Sequence, residues 1–228
     1  MNKLCFLILG LITLLHTGCH QETATVSFET FGAEPDAKEN CSIAAKKLID
    51  FLQEKADDEH VTITFPKGRY DFYEDSSFVR EYYISNHDQV NPRKAGFAFE
   101  ELQNVTLDGQ GSEFVFHGRM IPMILSECKN VTLKNFSVDF ELPALRQLKI
   151  LEVDEQQDEV MAEIYPKGHY RIDDGQLTIL GEGYEYHPVS SMAFNANRRL
   201  TYKRRDVRFN PASVTEVAPD TLKLKGGH

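Results

Sequence analysis

The sequence contains no tryptophan among its 228 residues. Any flat aromatic surface must therefore come from its nine Tyr and 15 Phe. Cysteine is equally sparse, with four in all. Cys5 and Cys19 fall at the N-terminus, leaving Cys41 and Cys128 for the body of the chain. No CxxC spacing exists, and the two read better as small apolar residues than as metal ligands, with a pairing in an oxidising compartment as the other reading. The eight His are dispersed, without an HxH or HExxH spacing, which argues against a zinc site. Positive charge is short as well. Lys plus Arg number 25 against 35 Asp plus Glu, a net charge of -10, so nucleic acid is not an expected partner. The local exception, Arg198, Arg199, Lys203, Arg204 and Arg205, reads as a solvated strand face. No cofactor is expected.

Long apolar runs are absent too. The longest, Leu4 to Leu15, follows Lys3 and is too short to span a bilayer. It has the make-up of an export signal. Leu15-His16-Thr17-Gly18-Cys19 then resembles a bacterial lipobox, although His16 fits poorly. The preferred expectation is a signal over 1–18, lipidation of Cys19 and a cell-envelope location with a membrane anchor. Ordinary cleavage nearby is the alternative.

What is present is patterned. Residues 19–27 read as a linker running into a strand. Cys41, Ala44, Leu48, Phe51 and Leu52 then share one helical face, which predicts an amphipathic helix from about 41 to 56, capped by Asn40 or Ser42. The period changes at Val61, Ile63 and Phe65, a strand pattern broken by Pro66-Lys67-Gly68. Asn104-Val105-Thr106-Leu107 recurs as Asn130-Val131-Thr132-Leu133, an offset of 26 residues that suits one coil of a β-solenoid. Asn104 and Asn130 are expected as turn residues whose amides bond the backbone of neighbouring coils. From about Leu145 alternating strands with Gly, Asp and Pro turns, including Asp173-Asp174-Gly175, indicate antiparallel pairing. The chain stops at Gly226-Gly227-His228 without returning to the repeat, as the N-terminal part of something longer would.

Two resemblances rest on these words. "FGAEPDA" with the helix after it looks like the entry segment of pectin-lyase-like right-handed β-helix proteins. "FPKGRYDFY", "VREYYISNHDQVNPRKAGFAFEELQNVTLDGQGSEFVFHGRMIP" and "CKNVTLKNFSVDFE" together resemble glycoside hydrolase family 110, the bacterial α-1,3-galactosidases. The resemblance is strongest from Val61 to Glu141 and rests on strand pattern alone after Pro143. It implies an all-β fold: a right-handed parallel β-helix (28–143) with an N-terminal capping helix and an inserted antiparallel β-barrel-like domain (144–228). It also implies inverting removal of terminal α-1,3-linked galactose, as from blood group B glycans, without a metal. The partners it implies are terminal α-galactosyl glycans, with a homodimer as a further expectation. The family's catalytic carboxylates are expected beyond this chain, so no catalytic residue is assigned.

Within the chain, Asn86, His87 and Asp88 are the candidate substrate-binding residues. They line a sugar subsite, brace the adjacent coil or meet a second subunit, with bracing ranked first. The other acids of the block are Asp108, Glu113, Asp139 and Glu141. Asp108 in Asp-Gly-Gln-Gly is expected to serve a turn. Asp139 and Glu141, two apart on a strand, share a face at about 7 Å, within the roughly 6.5–9.5 Å of an inverting pair, although a solvated edge accounts for them more simply. Two other classes compete: a surface glycan-binding lipoprotein, weakened by the missing Trp, and a polysaccharide lyase, for which no acidic Ca²⁺ cluster is visible.

Overall fold

The computed structural model describes residues 23–55, 58–83, 91–195 and 200–226. The chain enters through β1 (Thr23–Ser27) and a 3-10 turn (Phe28–Phe31) into helix α1 (Ser42–Glu54). The helix buries Ala44, Ala45, Leu48, Ile49 and Leu52, while Phe51 is half-buried against the Phe31 ring. The Asn40 side chain accepts from the Ser42 amide at 2.9 Å. Ser42 is no cap: its hydroxyl bonds the Tyr73 carbonyl and amide and ties the helix to the strand region beside it.

Next come β2 (His60–Thr64), β3 (Arg69–Phe72), β4 (Phe78–Arg80), β5 (Arg93–Glu100), β6 (Gln103–Phe116), β7 (Ile121–Ser126) and β8 (Lys129–Phe140). β1, β2, β3, β6 and β8 form a parallel sheet, with β6 at its centre. β5 pairs in parallel with β7 and antiparallel with β4 in a second sheet. Side chains alternating off these strands meet α1 in an aromatic core. Phe28, Phe65, Tyr70, Phe72, Phe97, Phe114 and Phe116 are all fully buried there. Phe28 stacks on Phe65 at 4.2 Å and Phe114 on Phe136 at 4.7 Å. Each such ring contributes about 1.5–3 kcal/mol by leaving water.

The 26-residue repeat is realised as strand register: Val105 pairs with Val131, Thr106 with Thr132 and Leu107 with Leu133. Asn104 and Asn130 are both at positive φ, and Asn130 Nδ2 donates to Asn104 Oδ1 at 2.7 Å. Asp108 serves the turn that follows, its Oδ1 accepting from the Gln110 amide and from Asn135 Nδ2. Gly109 is required there, because a Cβ would stand 2.5 Å from Phe136 Cβ.

The remaining strands are β9 (Gln147–Asp154), β10 (Glu159–Tyr165), β11 (Tyr170–Asp173), β12 (Gln176–Gly181), β13 (Tyr184–Tyr186), β14 (Ser190–Asn195), β15 (Leu200–Arg208), β16 (Ser213–Ala218) and β17 (Thr221–Lys225). All pair antiparallel, in sheets ordered β16-β17-β10-β9, β11-β12-β13 and β14-β15. The predicted tight turn joins β11 to β12, with Asp174 and Gly175 both at positive φ. Val160, Ile164, Leu177, Ile179, Val214, Leu222 and Leu224 form a second core between the four- and three-stranded sheets.

The expected right-handed parallel β-helix is therefore corrected. A β-helix carries the same parallel sheets from coil to coil along its axis. Here the described residues form five small sheets, one parallel, one mixed and three antiparallel. Two copies of a repeat specify one parallel pairing, β6 with β8. Within 28–143 itself β4 runs antiparallel to β5, and from Gln147 onward, where antiparallel pairing is expected, left-handed turn residues such as Asp158, Asp174 and Asp220 reverse the chain. Cys41 and Cys128 are both free thiols. Burial pushes the Cys41 thiol up to about 11, with the Asp71 backbone hydrogen bond opposing it.

Candidate functional site

Strand register assembles the main polar cluster. Phe72, at the end of β3, pairs with Phe116, at the end of β6, and Phe116 pairs with Phe140, at the end of β8. The next residue on each strand, Tyr73, His117 and Glu141, therefore emerges in one row where the sheet ends. The Tyr73 and His117 rings stack at 3.9 Å, with 10° between their planes. One step back, Tyr70 and Phe72 point into the aromatic core, which leaves Asp71 on the other face of β3.

Asp71 is only 2% exposed, so its carboxylate must be paired. Arg69 supplies both Nε, at 3.0 and 3.1 Å, and Nη2, at 2.5 Å. The same Nη2 donates to Glu141 at 2.6 Å. His117 Nε2 lies 2.9 Å from Asp71 Oδ1, and its Nδ1 lies 2.8 Å from Glu182 Oε1. The imidazole thus bridges two carboxylates. Glu182 sits in the turn between β12 and β13, and its other oxygen accepts the Gly118 amide at 2.9 Å. Beside it Glu74 accepts Lys94 Nζ at 2.7 Å and the Arg119 amide. Gly118 has φ +77°, and a Cβ there would stand 2.3 Å from Glu74 Oε1, so glycine is needed on both counts.

These groups line a cleft of about 270 Å³ between the parallel sheet and the β12–β13 turn, with Tyr73, Glu74, Lys94 and His117 on one wall and Glu182 and Gly183 on the other. A larger cleft, about 480 Å³, lies by the end of α1 among Leu52, Lys55, Glu100, Glu101 and Glu127. Its Glu100 is committed to Arg80 and Tyr82. The smaller cleft is the candidate site because it alone of the two gathers carboxylates, a lysine, a histidine and a tyrosine.

The electrostatics limit its chemistry. Burial works to raise the Asp71 carboxyl, but the Arg69 and His117 hydrogen bonds outweigh it and hold the group below the usual range. Glu74 follows the same pattern, burial opposing and Lys94 with the Arg119 amide prevailing. Burial raises the Tyr73 phenol. Among the described residues, every Asp or Glu with a shifted pKa is shifted down. A general acid for glycoside cleavage needs the opposite shift. Asp71 and Glu74 are thereby held as carboxylates that present fixed charge and hydrogen-bond acceptors. Among the described residues no group of three or more His, Cys, Asp or Glu is arranged to hold a metal ion.

The sequence candidates fare differently. Asn86, His87, Asp88 and Cys19 lie outside the described residues, as do Arg198 and Arg199. The base of the segment that carries the first three is described: Asn91 bonds the Tyr82 amide and carbonyl through its side chain, closing the two ends on each other. Glu113 is exposed on β6. Asp139 accepts the amide of its neighbour Phe140, while Glu141 is taken up by Arg69. They engage different partners. Sequence reading passed over Arg69, Asp71, Glu74, His117 and Glu182. The available sign was in "GRYDFY", where a charged residue stands between two core aromatics of one short strand. Glu182, 65 residues from His117, left none.

Residues 146–227 match the family model described as GLAA-B beta-barrel domain I. Among the chain's curated relatives are proteins named Alpha-1,3-galactosidase B. The one from Parabacteroides distasonis is 38% identical over 93% of this chain and 35% of its own length. The Phocaeicola vulgatus protein is 42% identical over 99% of this chain and 38% of its own length. The Bacteroides fragilis protein is 43% identical over 88% of this chain and 34% of its own length. The chain is thus a relative of the alpha-1,3-galactosidases and spans about a third of the length of those it matches.

Proposed function

We propose that this chain is part of an exo-acting α-1,3-galactosidase that removes terminal α-1,3-linked galactose by inverting hydrolysis, with blood group B glycans among its substrates. The observation that carries this reading is identity of 38–43% with relatives of that name over 88–99% of the chain. In the same reading, Cys19 is lipidated and holds the exported protein at the cell envelope, and Asn86, His87 and Asp88 face the glycan or the wall beside it. The lowered Asp71 and Glu74 carboxyls suit glycan contact and framework roles, and in this reading the catalytic carboxylates are supplied by further polypeptide.

Hydrolysis of an α-1,3-linked galactobiose tests this. The 228-residue chain should leave it intact, and the chain extended to the length of its relatives should release free galactose. Cleavage by the 228-residue chain alone would overturn the division of labour. An extended chain that is folded and inert on α-1,3-galactosides would overturn the reading as a whole.

A further inference from the structure

Among the described residues, no strand of the first eight pairs with a strand of the last nine. The two apolar cores share no residue. The two halves of the chain therefore rely on other contacts to hold their relative placement, and several polar ones meet at one spot. Glu182 bonds His117 Nδ1 with one oxygen and the Gly118 amide with the other. Two residues along each segment, the Arg119 guanidinium lies over the Tyr184 ring, 5.1 Å from its centre.

The connection between the halves is anchored on both sides of a short pivot. On one side Glu141 donates its amide to the Phe116 carbonyl and is paired with Arg69. On the other, Tyr186 donates to the Ala144 carbonyl and Arg146 to the Leu180 carbonyl. Between these anchors lie Leu142, which is buried, and Pro143, whose carbonyl accepts from Arg146, so the pivot narrows to the Glu141–Leu142 step.

We infer that the Glu182–Gly183 turn is a strap: it clasps His117 and Gly118 to hold the antiparallel half against the parallel sheet, and release of the clasp lets that half swing about the Glu141–Leu142 step and open the cleft. His117 is the fixed post. Asp71 holds its far nitrogen and Tyr73 its face, so the ring cannot follow Glu182 when the turn moves away. Gly183 turns the strap through φ +74°, and nothing stands within 4 Å of a Cβ position there.

The distance between the halves reads this directly. Spin labels are placed at the exposed positions Glu127 and Glu155, in the 228-residue chain with its four native cysteines replaced. With the clasp intact, the distance distribution should be narrow. Glu182→Ala and His117→Ala should each broaden it by about twofold, while amides of β6 and β10 keep their protection from hydrogen exchange. A distribution as narrow as the parent's in both variants would overturn the clasp. So would general loss of amide protection, because the two residues would then belong to the folding core instead of a separable strap.

Discussion

Asp71 carries a charge at 2% exposure, beside a row of buried aromatics, and is kept ionised by Arg69 and His117. Removing one partner of such a group leaves the others desolvated and unpaired. Arg69 and Glu182 still reach water, so the cost falls below that of a fully enclosed pair. Asp71→Ala is expected to lower the unfolding free energy by about 2–3 kcal/mol at pH 7, measured by urea denaturation. The pH dependence comes from the direction of the shift. A carboxyl whose folded pKa is depressed contributes stability above its unfolded value of about 3.9, and that contribution fades as the pH falls toward the lower folded value. The gap between the parent and Asp71→Asn should therefore be widest near neutrality and shrink below about pH 4. A gap that stays constant down to pH 3 would mean the folded carboxyl is not depressed.

At the scale of elements, β6 and β8 are held by more than their ladder. The paired side chains of Asn104 and Asn130 sit where both residues turn through positive φ, a conformation Asn tolerates better than most residues. Two substitutions separate the contributions. Asn130→Gly removes the side-chain bond and keeps an easy left-handed backbone, at a cost of about 0.5–1.5 kcal/mol. Asn130→Ala removes the bond and adds the left-handed penalty, so it should be worse than Gly by about 1 kcal/mol, read as the difference in urea midpoints. Elements of this kind were open to sequence reading because their causes are local. The helix face from Cys41 to Leu52, the Val61-Ile63-Phe65 alternation, the Asp174-Gly175 turn and the register of the two Asn-Val-Thr-Leu copies each depend on neighbours in the chain or on one repeat. The extrapolation from that single register to a β-helix failed for the same reason. A repeat of two specifies how two strands lie beside each other and leaves the other pairings open, and within the segment expected to form the β-helix β4 runs antiparallel to β5.

For the molecule as a whole, the decisive contacts run between distant segments, and the polar cluster was illegible on that account. Tyr73, His117 and Glu141 meet only because three parallel strands end in register, and Glu182 reaches them only through the seating of the second half. The separation into two cores has a measurable consequence. Leu222 is fully buried in the smaller core, with Val160, Ile164 and Leu224 in the same cluster. Leu222→Ala removes that packing and leaves a cavity, at a cost of about 2–5 kcal/mol to the antiparallel half. The aromatic core holds none of those residues. Amide exchange in β10 and β17 should accelerate in proportion to that cost, while β2 and β6 retain their parental protection. If the β6 amides accelerate equally, the chain unfolds as one unit, and the two halves are coupled more tightly than their separate cores and the short polar clasp between them allow.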